Sequence, residues 1–217
     1  MKIVAVSDIH GCLPDIPECD LLLIAGDITP ADDHRLQRQF SWLNVQFREW
    51  LLSVPARKIV GIAGNHDFIF QTNPKSVADL PWVYLQDSGI DWEGVKIWGS
   101  PWQPVFHNWA FNAEDYKRQT AWSMIPDDTN ILVLHGPPYG YGDFVDNGYG
   151  NRGNVGCRWL NKRIIELNFL KLAVFGHIHS GRGKYTINNE RTTLANVAIV
   201  DDGYHPIHPP MMFEYTK

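Results

Sequence analysis

Apolar runs without polar alternation recur along the chain and predict strands that are buried on both faces. In the first half these runs are Ile3 to Val6, Leu21 to Ala25 and Lys58 to Ala63. Between the second and third runs, apolar residues at steps of three and four predict a helix. We expect Thr29-Pro30 to open this helix and Pro55 to end it. Strand, helix and strand in this order favour a right-handed parallel crossover.

The second half repeats this alternation of strands and helices. One helix is expected to be capped by Asn112, with Glu114 and Asp115 favourable in its first turn. A second helix is indicated by the apolar spacing from Cys157 to Leu167. Further short strands are expected toward the C-terminus, so the fold class is α/β, with residues 1–217 as a single domain. The four clearest strands are Trp82 to Leu85, Val95 to Trp98, Ile131 to Leu134 and Leu172 to Phe175.

Five short polar motifs follow these strands or lie just past them. Because the carboxyl ends of strands in open α/β sheets form one rim where sites are built, we expect the motifs to meet there. The motifs are Asp8-Ile9-His10, Gly26-Asp27, Gly64-Asn65-His66-Asp67, His135-Gly136 and Gly176-His177-Ile178-His179.

The side chains of these motifs are ligand types for transition metals. Imidazole and carboxylate groups suit zinc, iron, manganese, nickel or cobalt. A carboxylate such as Asp27 can bridge two ions, and an amide such as Asn65 adds a neutral oxygen. Two ions so held can polarise a phosphoryl oxygen, and with only two carboxylates and a hydroxide they keep a net positive charge that attracts phosphate.

Each motif alone has an ordinary structural interpretation. The Gly64 to Asp67 segment alone is typical of a turn with positive φ, and the Gly176 to His179 segment alone is typical of a solvated loop. All five motifs in this order, each at the exit of a strand, favour a metal centre instead.

Composition restricts the partners and the compartment. The formal net charge of -5 argues against binding to extended nucleic acid. No apolar stretch approaches 18 residues, and the N-terminal residues resemble a core strand more than a signal peptide, so no membrane association is expected. Three cysteines without a CxxC spacing suggest reduced thiols, and we expect a cytoplasmic protein. The sequence leaves the oligomeric state open.

The five motifs closely resemble the calcineurin-like metallophosphoesterase superfamily, whose pattern is D-x-H, GD, GNH[DE], H and GHxH. Three segments also resemble the brain-type metallophosphoesterase-domain proteins, which stand near the class III cyclic-nucleotide phosphodiesterases. The resemblance implies a metallophosphoesterase sandwich of two mixed β-sheets flanked by helices, with the metals at one edge. The three segments are Gly99 to Pro104, Trp109 to Asn112 and His135 to Pro138.

The resemblance also implies residue roles. Two divalent ions are expected, manganese or iron ahead of zinc, nickel and cobalt, with a hydroxide between them that attacks phosphorus in line. His66 would not bind metal, and would stabilise the transition state or protonate the leaving oxygen. One metal would be held by Asp8, His10, Asp27 and His179, and the other by Asp27, Asn65, His135 and His177.

The chain departs from its relatives at one position that matters. Many relatives carry an acid three residues after the bridging aspartate, where it orients the histidine of GNH, and Pro30 stands there in this chain. Asp32, Asp33 and Asp67 are the candidates to replace that acid. Some brain-type relatives have lost the first histidine of GHxH, but His177 is retained, so a full two-metal site is expected.

Three classes of function remain after these arguments. The leading hypothesis is a phosphodiesterase acting on a small phosphodiester or nucleotide, cyclic nucleotides among the candidates. A phosphomonoesterase is the alternative; protein phosphatases usually follow GD with Asp-Arg-Gly, which Gly26 to Pro30 lacks. A nuclease is disfavoured by the acidic balance. The third hypothesis is a non-enzymatic nucleotide-binding scaffold, although such proteins typically lose metal ligands.

Residues beyond the motifs could shape a substrate cleft. The segment 136–156 is rich in glycine and aromatic residues, including Tyr149, and is either a functional loop or a packed surface loop. Within it Tyr139 and Tyr141 could stack on a nucleobase, and Arg152 could contact phosphate.

Other histidines and tryptophans fall outside the motifs. Trp102, His107 and Trp109 are candidates for the lining of the same cleft, with core packing the favoured role of the two tryptophans. His34, His205 and His208 are expected in surface loops.

Overall fold

The computed structural model describes residues 1–146, 152–188 and 190–216. Tyr149, one of the aromatic residues considered for the substrate cleft, lies outside the described residues. The strands, numbered along the chain, are β1 (Lys2–Val6), β2 (Cys19–Ala25), β3 (Ala56–Ile62), β4 (Val83–Tyr84), β5 (Ser88–Trp92), β6 (Val95–Ser100), β7 (Gln103–Pro104), β8 (Asn112–Ala113), β9 (Ile131–Leu134), β10 (Phe144–Asp146), β11 (Arg152–Asn154), β12 (Leu172–Phe175), β13 (Gly183–Ile187), β14 (Thr192–Asn196) and β15 (Met211–Glu214).

Five α-helices lie among the described residues. A π-helical turn, Leu43–Phe47, joins the first two, and short 3-10 helices lie at Pro74–Val77 and His179–Gly181. The α-helices are α1 (Leu36–Trp42), α2 (Arg48–Ser53), α3 (Phe68–Thr72), α4 (Asp115–Ser123) and α5 (Arg158–Glu166).

Two mixed sheets form the body of the fold. The first has the order β15-β1-β2-β3-β4, and the second has the order β13-β14-β12-β9-β6-β5. Strands β1 to β4 run parallel, as do β6, β9, β12 and β14. An antiparallel strand lies at one edge of the first sheet, β15, and at both edges of the second, β13 and β5. A parallel bridge between Ser7 and Ala198 connects the chain just beyond β1 to the chain just beyond β14. The predicted α/β sandwich of two mixed sheets is therefore confirmed.

The alternation of side chains along each strand divides the interior into two apolar clusters. In β1, Ile3 and Ala5 belong to a cluster shared by residues of both sheets, whereas Val4 belongs to a cluster shared with the helices. Strand β9 divides in the same way, with Ile131 in the first cluster and Leu132 in the second. Both faces of these strands are covered, which is why their sequences lack polar alternation.

The long helix begins later than the sequence predicted. Helix α1 starts at Leu36, so the expectation that Thr29-Pro30 opens it was wrong. The Thr29 side chain is fully buried and its hydroxyl bonds to Asp67, 2.9 Å away, which commits Thr29 to a loop. The helical region ends at Ser53, just before Pro55, as expected.

Two further expectations needed correction. Asn112 lies in β8 and its amide donates to the carbonyl of His107, while α4 begins at Asp115 after Glu114. The segment 136–156 contains strands β10 and β11, which pair as an antiparallel ribbon, so it is not simply a loop. Among the described residues, no helix has the length and apolar character needed to cross a membrane.

Phe47 provides a test of the apolar cluster that the sheets share with the helices. Its ring is fully buried, stacks on Trp42 and Trp50, and meets Trp82 edge to face. We expect Phe47→Ala to lower the free energy of unfolding by about 3–5 kcal/mol, because it leaves a large cavity. Leu52→Ala is the matched control, since Leu52 is 70% exposed, and it should change that free energy by less than about 0.5 kcal/mol. Denaturant unfolding monitored by fluorescence measures both, and equal effects would contradict this packing.

Candidate metal centre

The five motifs converge at one rim of the sandwich. Each lies directly after a parallel strand: β1, β2, β3, β9 or β12. Their metal-ligand candidates form one group that we call the ligand cluster, and within it the side chains of Asp8, Asp27 and His135 are almost completely buried. The ligand cluster consists of Asp8, His10, Asp27, Asn65, His135, His177 and His179.

One half of the ligand cluster surrounds Asp8. The Nε2 atom of His179 lies 3.4 Å from Oδ1 of Asp8, and Nε2 of His10 lies 4.0 Å from the same oxygen. His10 Nε2 is also 3.6 Å from Oδ2 of Asp27. These four residues, which follow β1, β2 and β12, therefore bring their ligand atoms close together.

The other half surrounds Asn65. Its Oδ1 atom lies 2.8 Å from Nε2 of His135 and 2.8 Å from Nδ1 of His177. His135 Nε2 is in turn 3.4 Å from Oδ2 of Asp27. Asp27 thus belongs to both halves, and the same oxygen, Oδ2, faces a histidine of each.

The donor set fits divalent transition metals. Three groups of described residues place one ligand atom each within 4.8 Å of the others: Asp8 with His10 and His179, Asp8 with Asp27 and His135, and Asp27 with His10 and His66. The ring of His10 is buried, yet neither of its nitrogens has a hydrogen-bond partner among the described residues. Buried polar atoms are normally satisfied, so these nitrogens are free to bind a cation.

Charge in the ligand cluster is balanced between carboxylates and imidazoles. Burial opposes ionisation of Asp8 and Asp27, but contacts with His179 and His135 keep the pKa of both carboxyls below the usual range. Burial likewise opposes protonation of His135 and His179, and their carboxylate neighbours nevertheless raise the pKa of each to about 9. The carboxylates therefore stabilise positive charge at this rim.

At His10 and His177 burial outweighs the nearby carboxylates, and the pKa shifts in the opposite direction. Burial lowers the pKa of His10 to about 4 and that of His177 to about 3. Neutral imidazole is the form that binds metal. These two rings are therefore available as ligands across the neutral pH range.

The backbone adopts rare conformations at the ligand cluster. Asp8, His10, Asp27 and His177 all have left-handed φ values, of 54°, 44°, 51° and 68°, which are uncommon for residues with a side chain. At two motif glycines the reason for glycine is different: a carboxylate oxygen lies too close to leave room for a side chain. A Cβ atom at Gly64 would lie 2.2 Å from Oδ1 of Asp27, and one at Gly176 would lie 2.0 Å from Oδ2 of Asp8.

Backbone carbonyl groups orient two of the histidine rings. Nδ1 of His135 lies 3.0 Å from the carbonyl oxygen of Ala25, and Nδ1 of His179 lies 2.9 Å from that of Asp201. Each contact leaves Nε2 facing the carboxylates. Such outer hydrogen bonds fix the ring orientation and tautomer of metal-binding histidines.

Asp67 ties together the loops after β2 and β3. Its carboxylate accepts hydrogen bonds from the backbone N–H groups of Ile28, Thr29 and Gly64, at 2.8–3.1 Å. Burial and the nearby Asp27 raise the pKa of Asp67 to about 6, while those N–H donors favour its ionised form. The role considered for Asp67, supporting the His66 ring, does not match these contacts.

The partner of the His66 ring is another histidine. His34 lies in a loop, as expected, but is partly buried, and its Nε2 lies 2.8 Å from Nδ1 of His66, a contact that the sequence did not indicate. Trp109 stacks on His66 with ring centroids 4.2 Å apart, whereas Trp102 is a buried core residue as expected. Burial lowers the pKa of His66, and the contact with Asp27 opposes this effect.

Tyr204 is a neighbour of the site that sequence reasoning missed. Its ring centroid lies 4.8 Å from that of His10 and 5.4 Å from that of His179. It follows Asp201-Asp202-Gly203, a turn whose Asp201 carbonyl group contacts His179. A tyrosine after such a turn has no distinctive sequence pattern, so no motif pointed to it.

The four residues predicted to contact substrate make their described contacts elsewhere. Arg158 lies over the ring of Tyr139 at 3.6 Å, and Tyr141 packs on the helix-facing apolar cluster. Arg152 pairs with Asp146 at 3.3 Å, and His107 is exposed beside Phe106. None of the described contacts of Tyr139, Tyr141, Arg152 or His107 reaches the ligand cluster, and their binding role stays a prediction.

Similar sequences share most of this chain. The metallophosphoesterase domain-containing protein 1 of human and of mouse is 32% identical over 241 residues, covering 98% of this chain and 70% of the relative. A UPF0046 protein of Caenorhabditis elegans is 30% identical, covering 96% of this chain and 61% of the relative.

Solved structures share the fold. The 5′-nucleotidase precursor of Thermus thermophilus superposes with a TM-score of 0.50 at 14% identity, covering 90% of this chain. The NAD nucleotidase of Haemophilus influenzae gives the same score at 12% identity, covering 99%. The chain spans about half the length of each, 48% and 49%.

A family model describes the region that carries all five motifs. The calcineurin-like phosphoesterase family matches residues 1–181, from the first strand to the GHxH motif. Members of this family depend on two metal ions, and the described Asp and His groups are able to hold metals. The chain therefore belongs to the calcineurin-like metallophosphoesterase family.

Proposed function

We propose that this protein is a two-metal phosphodiesterase that hydrolyses small phosphodiesters, with cyclic nucleotides among the candidate substrates. The observation that carries the proposal is the division of the ligand cluster into two halves that share Oδ2 of Asp27, at 3.6 Å from His10 and 3.4 Å from His135. A carboxylate within reach of both halves could serve two adjacent ions.

In this proposal each half of the ligand cluster holds one ion. Asp8, His10 and His179 would hold one ion, and Asn65, His135 and His177 the other, with Asp27 common to both. Manganese or iron suits this mixture of imidazole and oxygen ligands. When bound, the ions supply Lewis-acid polarisation of the phosphoryl oxygen and a water of lowered pKa.

His66 is placed to assist the leaving group. Its Nε2 lies 3.9 Å from Oδ2 of Asp27, so this edge of the ring faces the ligand cluster. The opposite nitrogen is engaged by His34, and the backbone carbonyl of His66 accepts a hydrogen bond from the Gln39 amide at 2.6 Å. A fixed imidazole facing the centre can donate a proton to the leaving oxygen or stabilise its charge.

The surroundings of the ligand cluster favour a diester over a monoester. No arginine or lysine in the described part of the chain hydrogen-bonds or ion-pairs with a side chain of the cluster. A phosphodiester carries one negative charge and a monoester up to two, so a centre without additional cations suits the diester. Trp109 and Tyr204 add flat aromatic surface beside the site, which suits a leaving group that carries a planar nucleobase.

Comparison of ester substrates tests this proposal. With added manganese we expect kcat/KM for bis-p-nitrophenyl phosphate to exceed that for p-nitrophenyl phosphate by about tenfold or more, about 1.4 kcal/mol in the barrier. The same assay should include 2′,3′- and 3′,5′-cyclic nucleotides. Faster hydrolysis of the monoester would identify a phosphomonoesterase. Full metal loading with tight nucleotide binding and no turnover would identify a non-enzymatic scaffold.

The metal assignment is tested by His135→Ala. We expect this variant to lose metal, because its Nε2 contacts both Asp27 and Asn65, with affinity falling by about 10–100-fold or more. Elemental analysis of the purified protein measures occupancy. His208→Ala is the matched control, since His208 lies outside the ligand cluster, and it should keep the metal content of the unaltered protein. Equal occupancy in both variants would contradict the assignment.

The role of His66 is tested by His66→Ala. We expect the metal content to remain, because His66 is not assigned as a ligand, while kcat falls by about 10²–10⁴-fold through loss of an acid–base group. Elemental analysis and steady-state kinetics on the same preparation separate the two effects. Loss of metal together with activity would instead make His66 a ligand, in line with its place in one of the three metal-competent groups.

A further inference from the structure

The ring of His66 is held by three contacts of different kinds. Its backbone N–H donates to Oδ1 of Asp27 at 2.7 Å, Trp109 covers one face, and His34 meets Nδ1. The backbone bond fixes where the residue is, and the stacked indole fixes the plane of the ring. Neither contact decides whether Nε2 or Cε1 faces the ligand cluster, because a half-turn of the ring about its Cβ–Cγ bond preserves both.

Among the described contacts of the His66 ring, only the hydrogen bond to His34 is directional at a ring nitrogen. With Nδ1 at 2.8 Å from His34 Nε2, the other nitrogen of His66 faces Asp27 at 3.9 Å. A flipped ring would lose this bond. The contact with His34 therefore selects the productive orientation of His66.

The acids considered for orienting the His66 ring are bonded to other groups or exposed. Asp67 accepts hydrogen bonds from the N–H groups of the two loops that it joins. Asp33 binds Arg35 through backbone and side chain, at 2.9–3.0 Å. Asp32 is exposed, and Pro30 has no polar side-chain group to offer.

His34 is itself held in place. Its ring meets Trp109 edge to face at 5.0 Å and Phe68 at 5.5 Å. The Asp33–Arg35 bonds brace the loop on either side of it, immediately before α1. A side chain packed in this way loses little entropy when it forms its hydrogen bond.

We propose that His34 is a positioning residue for His66, through the bond between its Nε2 and His66 Nδ1. His34 would serve the purpose of the acid that the family resemblance leads one to expect at the position of Pro30. An imidazole nitrogen can donate or accept a hydrogen bond, whereas a carboxylate can only accept, so His34 can hold the ring in either of its tautomers. This inference rests on the proposed function of His66 as a group that acts on the leaving oxygen.

Substitutions at position 34 test the proposal. His34→Ala should lower kcat for bis-p-nitrophenyl phosphate by about 10–100-fold, the range for partners that orient a functional side chain, with KM and metal content little changed. His34→Gln should recover most of the loss, because its amide reaches similarly far and can also donate or accept. Asp32→Asn, in the same loop, is the matched control and should match the unaltered protein.

A double variant separates positioning from a general structural effect. If His34 acts through His66, His34→Ala combined with His66→Ala should be no slower than His66→Ala alone, because coupled residues are not additive. Multiplied losses in the double variant, loss of metal in His34→Ala, or unchanged kcat in His34→Ala would each overturn the proposal. Thermal unfolding of every variant excludes loss of the fold as the cause.

A measurement without substrate keeps this inference distinct from the proposed function. Long-range ¹H–¹⁵N spectra report the tautomer and bonding of each histidine ring. We expect His34→Ala to shift the His66 Nδ1 resonance and Asp32→Asn to leave it in place. If the protein hydrolyses no ester, the proposed function fails while this spectrum still tests the bond. An unshifted Nδ1 in active protein would overturn the inference alone.

Discussion

The centre depends on one buried carboxylate. Asp27 is 1% exposed, and an isolated charge in such a place would cost several kcal/mol or more unless paired. Its partners come from different parts of the fold: His10 follows β1 in the first sheet, and His135 follows β9 in the second. The two sheets must therefore pack against each other as they do for the charge of Asp27 to be balanced. The packing of the sandwich and the geometry of the site thus depend on each other.

Much of the fold could be predicted from the sequence because the strands are covered on both faces. Ile131–Leu134 and Leu172–Phe175 form with the predicted bounds, since apolar residues on both faces leave an uninterrupted run. The start of the long helix could not be predicted, because Thr29 has the side chain of a good N-cap. Its hydroxyl is instead bonded to Asp67, 38 residues away in sequence, and local patterns do not contain that contact.

The site, like the fold, could be predicted from the sequence only in part. The residues of the five motifs meet because each follows a parallel strand, and strand order alone brings those positions to one rim. His34, Trp109 and Tyr204 lie in loops whose course depends on tertiary packing, so no periodicity or spacing indicates that they meet His66 or His10. The absent acid at Pro30 indicated that something must replace it, but only three-dimensional proximity identified a histidine.

The left-handed backbone at Asp8, His10, Asp27 and His177 sets the stability of the fold against the retention of metal ligands. Each such residue is strained where glycine would be relaxed. Glycine at these four positions would relieve the backbone and remove a ligand candidate at the same time. A library of variants sorted only for thermal resistance would therefore drift toward glycine there and lose the metal centre first.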